Sequence, residues 1–187
     1  MTQLSDLGAL LEQRGLSYTV LVVGGVALGA HGVRIDLPTV DVDVIAQRRA
    51  DAIVPGAPLP AELIDAVRVI AAANGLALDW FNAQASFNFA QGRALPPGMA
   101  DRADLVLFGG LSVLIASRRD LVALKLHAAV DNFQPRVVDE KHRRDLRELE
   151  PTSGDLEFAF AWLEDVYVDR PNVAELAREI TEEDGLG

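Results

Sequence analysis

The chain of 187 residues contains no cysteine. That excludes a disulfide framework, thiolate zinc sites, cysteine-held iron–sulfur clusters and a cysteine nucleophile. A reducing, intracellular setting fits, and a cytoplasmic location is expected. No stretch reads as a membrane span. The longest segment without Asp, Glu, Lys or Arg runs from Gly15 to Val33, is split by Gly24-Gly25 and carries Ser17, Tyr18, Thr19 and His31. A bilayer helix needs roughly 20 predominantly apolar residues. Near the N-terminus a basic cluster is missing and Asp6 and Glu12 interrupt the apolar residues, so no secretory signal is expected. Neither Gly-x-Ser-x-Gly nor His-Glu-x-x-His occurs, and His31, His127 and His142 have no metal-ligand spacing. Serine-hydrolase and zincin chemistry are therefore dropped, and the histidines read as packing or surface residues. The P-loop and the dinucleotide fingerprint are also absent. Basic residues are in deficit, 17 Lys and Arg against 28 Asp and Glu, which disfavours a general electrostatic grip on nucleic acid.

What is present is the composition of an ordinary folded protein, with 50% hydrophobic and 24% charged residues. The length suits one domain, or one domain with a helical appendix. The net charge of -11 is uneven: residues 148–187 hold 12 acids against Arg170 and Arg178. Immediately before them, Arg118 to Arg147 carries eight Lys and Arg against five acids. A local basic wall facing phosphates is compatible with that pattern.

Leu4, Leu7, Leu10 and Leu11 recur at helical spacing and predict an amphipathic helix over 4–14, ended by Gly15. Tyr18 to Val23 reads as a buried strand that Gly24-Gly25 turns into a short helix, Val26 to Ala30. Val40 to Val44 alternates Val and Asp and predicts a half-buried strand. A helix over 61–73 closed by Asn74-Gly75, a strand over 76–81, and a hairpin of 105–108 with 112–116 around Gly109-Gly110 complete a mixed sheet of about five strands. Helices over 120–130, 139–149, 155–166 and 172–183 follow. The expected class is α/β (α+β), a mixed sheet flanked by helices over 1–117 and a helical subdomain over 118–187.

The main chemical signal is Asp41 and Asp43. Residues two apart on a strand share a face, so two carboxylates stand side by side while the valines enter the core. Such a pair suits Mg²⁺ shared with substrate phosphates; an alternating strand with a solvated face gives the same string. Gly24-Gly25 between strand and helix allows backbone N–H groups close to a phosphate, or serves as a tight packed turn. Lys125 stands in a helix that is otherwise apolar from Leu121 to Val130 apart from His127, so it must reach solvent, a carboxylate or a phosphate.

The string Val23-Gly24-Gly25-Val-Ala-Leu-Gly-Ala-His31-Gly32, followed by Thr39-Val-Asp41-Val-Asp43-Val, resembles the signature of polymerase-β-like nucleotidyltransferases, in particular the minimal bacterial group that includes the AbiEii-type toxins. Asp120-Leu-Val-Ala-Leu-Lys125 and Lys141-His142-Arg-Arg-Asp145 resemble that group's later lysine and acidic motifs. The resemblance implies that Gly24 and Gly25 seat the triphosphate and that Asp41 and Asp43 bind Mg²⁺ or Mn²⁺. It also implies that a third carboxylate, with Asp79 as candidate, completes the metal site and helps deprotonate the acceptor. A turn-capping or solvated Asp79 is the other reading. Lys125 would neutralise the triphosphate, and Asp145 would orient Lys125 or a water, or else lie on a solvated helix face. Arg34 and Thr39 would contact phosphates, although Leu37 stands where the family commonly has arginine, two residues before the threonine, and Arg34 lies three residues further upstream.

The implied activity is transfer of a nucleoside monophosphate from NTP to a hydroxyl of RNA, protein or a small molecule, in a toxin–antitoxin system with a cognate partner. The alternative is a catalytically inactive nucleotidyltransferase-fold protein that binds or regulates.

Overall fold

A computed structural model describes residues 2–33, 41–90, 94–130 and 140–186. The chain is a mixed α/β protein that divides into two compact units, one of 1–93 with 100–116 and one of 117–187 with 94–99.

The first unit is built on a six-stranded mixed sheet. Its strands are β1 (Tyr18–Val23), β2 (Val42–Arg49), β3 (Ala52–Pro55), β4 (Phe81–Asn82), β5 (Asp104–Phe108) and β6 (Leu111–Ile115). Their order is β3-β2-β1-β6-β5, with β4 pairing β2 off that path. β1 runs parallel to β6 and antiparallel to β2, and Val20, Leu21, Val22 and Val23 are all buried, as a central strand covered on both faces requires. The Val and Asp alternation holds over the described part of its string: Asp41 is exposed, Val42 buried, Asp43 half-buried and Val44 buried. From Val44 to Gln47 every residue is buried. Gln47 is satisfied there because its Nε2 donates to the carbonyls of Gly56 at 2.8 Å and Pro58 at 2.9 Å.

Helix α1 (Thr2–Gln13) buries Leu4, Leu7 and Leu11, and its Gly8 lies directly on the turn between β5 and β6. A Cβ at Gly8 would stand 1.5 Å from the Phe108 carbonyl oxygen, and Gly110 N donates to Gly8 O at 2.9 Å. Helix α2 (Gly24–Ala30) follows β1 without a loop, and α3 (Ala61–Asn74) ends at Gly75 in the left-handed conformation, φ 65°. The short helices α4 (Phe87–Ala90) and α5 (Met99–Arg102) complete the order before β5.

The second unit consists mainly of α6 (Arg118–Val130), α7 (Glu140–Leu149), α8 (Ser153–Val166) and α9 (Asn172–Glu183). α6 is buried almost throughout, which accounts for its apolar sequence. His127 is buried in this unit, hydrogen-bonded to the Tyr167 hydroxyl at 3.0 Å and stacked on its ring. α8 begins two residues ahead of the expected start because Thr152 caps it: its hydroxyl accepts from Asp155 N at 3.2 Å, and Asp155 Oδ2 accepts from Thr152 N at 3.1 Å. No helix among the described residues is long and apolar enough to cross a membrane.

Candidate functional site

In the first unit the structure brings together the glycine turn and one of the two aspartates. Val23, the last residue of β1, lies opposite Asp43 on β2. The next residue, Gly24, takes φ 67°, a conformation that L side chains avoid. A Cβ at Gly24 would fall 2.1 Å from Asp43 Oδ2, so only glycine lets the carboxylate occupy that position. Gly25 continues into α2, half-buried. Asp41 immediately precedes β2, exposed, and the intervening Val42 is fixed by its N–H to the Trp80 carbonyl at 2.6 Å. The two carboxylates thus lie two residues apart at the beginning of one strand, on the side that the buried valines leave to solvent.

Asp79 requires a correction. Residues 76–81 do not form a strand; β4 is only Phe81–Asn82, and Asp79 is exposed in the turn before it. The cause is Trp80, which is buried, donates Nε1 to the Val67 carbonyl of α3 at 3.2 Å and closes a turn through its N–H to Ala77 O. Anchoring the indole spends the apolar residues before it on a turn. The residue in parallel register with Asp43 is Asn82. Sequence reasoning passed over it, although it directly follows the Trp80-Phe81 pair. Its Oδ1 accepts from Gln84 N at 3.0 Å and its Nδ2 donates to Asp79 O at 3.3 Å, an Asx-type link that holds the turn to β4. Among the described residues no group of three or more His, Asp or Glu side chains is placed to hold a metal, so Asp41, Asp43 and Asp79 do not converge. Arg34 and Thr39, and with them Val40, lie outside the described residues.

In the second unit Lys125 of α6 meets Asp145 of α7, with Nζ 2.5 Å from Oδ2. The Lys125 side chain is 11% exposed and that of Asp145 fully buried. Of the three destinations open to this lysine in an apolar helix, the structure gives it a carboxylate. Breaking such a pair by removing one partner costs about 3–5 kcal/mol, because the other charge stays buried.

Among the described residues, arginines of the basic stretch are engaged within the same unit. Arg119 Nε donates to Asp155 Oδ1 at 3.0 Å, Arg118 donates to the Leu149 carbonyl, and Arg144 lies 3.9 Å from Glu148. Burial raises the Asp155 pKa, but hydrogen bonds from Thr152 and Arg119 outweigh it and hold the carboxyl below its ordinary value. Asp184, just past α9, is held below its ordinary value by the Arg143 guanidinium bound to it, against a smaller opposing effect of burial.

The chain matches no known family model, no curated protein and no solved structure.

Proposed function

We propose that this protein is a metal-dependent nucleotidyltransferase that moves a nucleoside monophosphate from NTP to an acceptor hydroxyl and releases pyrophosphate. The observation that carries the reading is the contact of Gly24 with Asp43: a glycine turn able to approach phosphates stands directly against a strand carboxylate. The donor set suits Mg²⁺, since Asp41 and Asp43 offer two hard oxygen ligands on one strand, and Mg²⁺ is usually held by one or two carboxylates together with substrate phosphates. Bound there, the ion would offset negative charge on the triphosphate. Gly24 and Gly25 would take the outer phosphates through backbone N–H groups. The resemblance to AbiEii-type toxins also assigns Lys125 to the triphosphate; within the second unit its ammonium is paired with Asp145.

A hydroxyl of RNA, of a protein or of a small molecule serves as acceptor in this reading, and a cognate toxin or antitoxin is the expected partner. One observation favours the second reading, a non-catalytic binding or regulatory protein: the position in register with Asp43 is the neutral Asn82 rather than a carboxylate.

Label transfer separates the two. Incubation with each NTP labelled in turn at the α- and γ-phosphate, with Mg²⁺ and with transfer RNA or protein as acceptor, should move only the α-label. Asp41→Asn and Asp43→Asn should each abolish the transfer. Mg²⁺-dependent NTP binding with no label moved to any acceptor would favour the binding reading. Absence of both would reject the nucleotide site altogether.

A further inference from the structure

The strongest charged constellation outside that site lies between α7 and the end of α9, and it stands on the second unit alone. Arg143 and Arg147 are four residues apart, hence on one face of α7. Arg143 grips Asp184 in a fork, with Nε donating to Oδ2 at 2.8 Å and Nη2 to Oδ1 at 2.6 Å. Arg147 Nη1 adds a third bond to the same Oδ1 at 3.0 Å. The Asp184 side chain is only 6% exposed. Two exposed acids flank the grip: Glu183, 3.3 Å from Arg143, and Glu140, which accepts from Arg147 Nη2 at 2.6 Å.

Two features set this apart from an ordinary surface ion pair. Planar guanidinium forks converging on one oxyanion are the donor arrangement that phosphate groups select. The carboxylate that fills the fork also sits where its own helix disfavours it. Glu182, Glu183 and Asp184 crowd the negative end of the α9 dipole, and the last turn of α9 has no basic residue. Asp184 is therefore held chiefly by the arginines, and a phosphate, with more charge and an additional acceptor oxygen, competes for the same donors.

We infer that Arg143 and Arg147 form a phosphate-binding fork that Asp184 occupies as a built-in competitor, so that binding of a phosphate group displaces the end of α9. The phosphate comes either from a free anion or from a nucleic-acid backbone. The inference does not depend on nucleotidyl transfer.

Asp184→Asn removes the competing charge with little change in size, and Asp184→Ser removes it together with the carboxyl group. Both variants and the wild-type chain are titrated with inorganic phosphate and, separately, with a short single-stranded RNA across a salt series. At least one probe should bind a variant about tenfold or more tighter than the wild type, and adding Arg143→Gln should cancel the gain. A gain with phosphate identifies the free anion as sufficient. A gain with RNA alone, with a salt slope steeper by about 0.7, as expected for one phosphate seated on a single strand, identifies the backbone. Folded variants with no gain, or a gain that survives Arg143→Gln, would overturn the inference. So would failure of both variants to fold, which would make Asp184 a structural tie.

Discussion

Replacing Gly24 by alanine perturbs the proposed site at its closest approach, and its cost can be worked out from two separable effects. The left-handed backbone at φ 67° costs an L residue about 1–2 kcal/mol. Gly15 supplies the control: it has nearly the same φ, 68°, and a Cβ there would meet nothing within 4 Å. Gly15→Ala should therefore show the backbone cost alone. At Gly24 the new methyl would also fall 2.1 Å from Asp43 Oδ2, and turning that half-buried carboxylate aside adds about 0.5–1.5 kcal/mol. Asp43→Ala removes the obstacle, so in the double variant this added cost should disappear and leave a coupling of about 0.5–1.5 kcal/mol between the two positions. Urea unfolding of the four chains and of Gly15→Ala measures these terms. In thermal unfolding each kcal/mol corresponds to about 2–4 °C for a chain of this size. Equal costs at Gly15 and Gly24, or strict additivity of Gly24→Ala with Asp43→Ala, would refute the contact on which the proposed site rests.

Lys125→Met should destabilise the second unit by about 3–5 kcal/mol, because Asp145 is left buried and charged, whereas Lys125→Met with Asp145→Leu should recover most of the loss; denaturant unfolding of both variants checks this. If the lysine meets the outer phosphates, the double variant should lose affinity for a triphosphate more than for a monophosphate. The lowered pKa values of Asp155 and Asp184 predict acid sensitivity. With both held below the ordinary value of 3.8 in the folded state, the unfolded chain binds more protons as the pH falls through that region. Their stabilisation is therefore present above the unfolded value and lost as pH drops through the folded values. Unfolding midpoints measured between about pH 6 and pH 3 should fall for the wild type and fall less for Asp155→Asn, the difference appearing below about pH 4.

The elements that sequence reasoning located best are those whose signals are local. β1, the turn at Gly24-Gly25 and α2 follow from a Val-rich run broken by two glycines, and the β5–β6 hairpin from Gly109-Gly110, where Gly109 takes φ 55°. α9 has the expected bounds because Pro171 and the Val173, Leu176, Ile180 spacing mark its apolar face; Val173 and Ile180 are buried there and Leu176 half-buried. β3 was not expected, since its turn with β2 consists of Ala50 and Asp51, and Ala50 adopts φ 50° without the glycine or asparagine that announces such a turn. Asp79 was misplaced because an apolar run does not reveal that Trp80 is anchored to α3. The partners of buried charges were the least legible. That Lys125 needs a partner is read from its apolar helix, and Asp145, 20 residues on, is the partner the family resemblance names; helical spacing alone does not single it out, because the pairing depends on how α6 and α7 pack. The Arg143 fork around Asp184 spans 41 residues and has no sequence pattern at all.

The proposed site has Asp41 and Asp43, the latter beside the Gly24 turn, hold a metal-bound triphosphate. Calorimetric titration with a non-hydrolysable NTP analogue tests it most directly, in Mg²⁺ and again in EDTA, on the wild type and on Asp43→Asn. The wild type should bind saturably in Mg²⁺ and little or not at all in EDTA, and Asp43→Asn should lose the Mg²⁺-dependent part. Binding of equal strength in EDTA, unchanged binding by Asp43→Asn, or no binding of any NTP analogue by the wild type would contradict it.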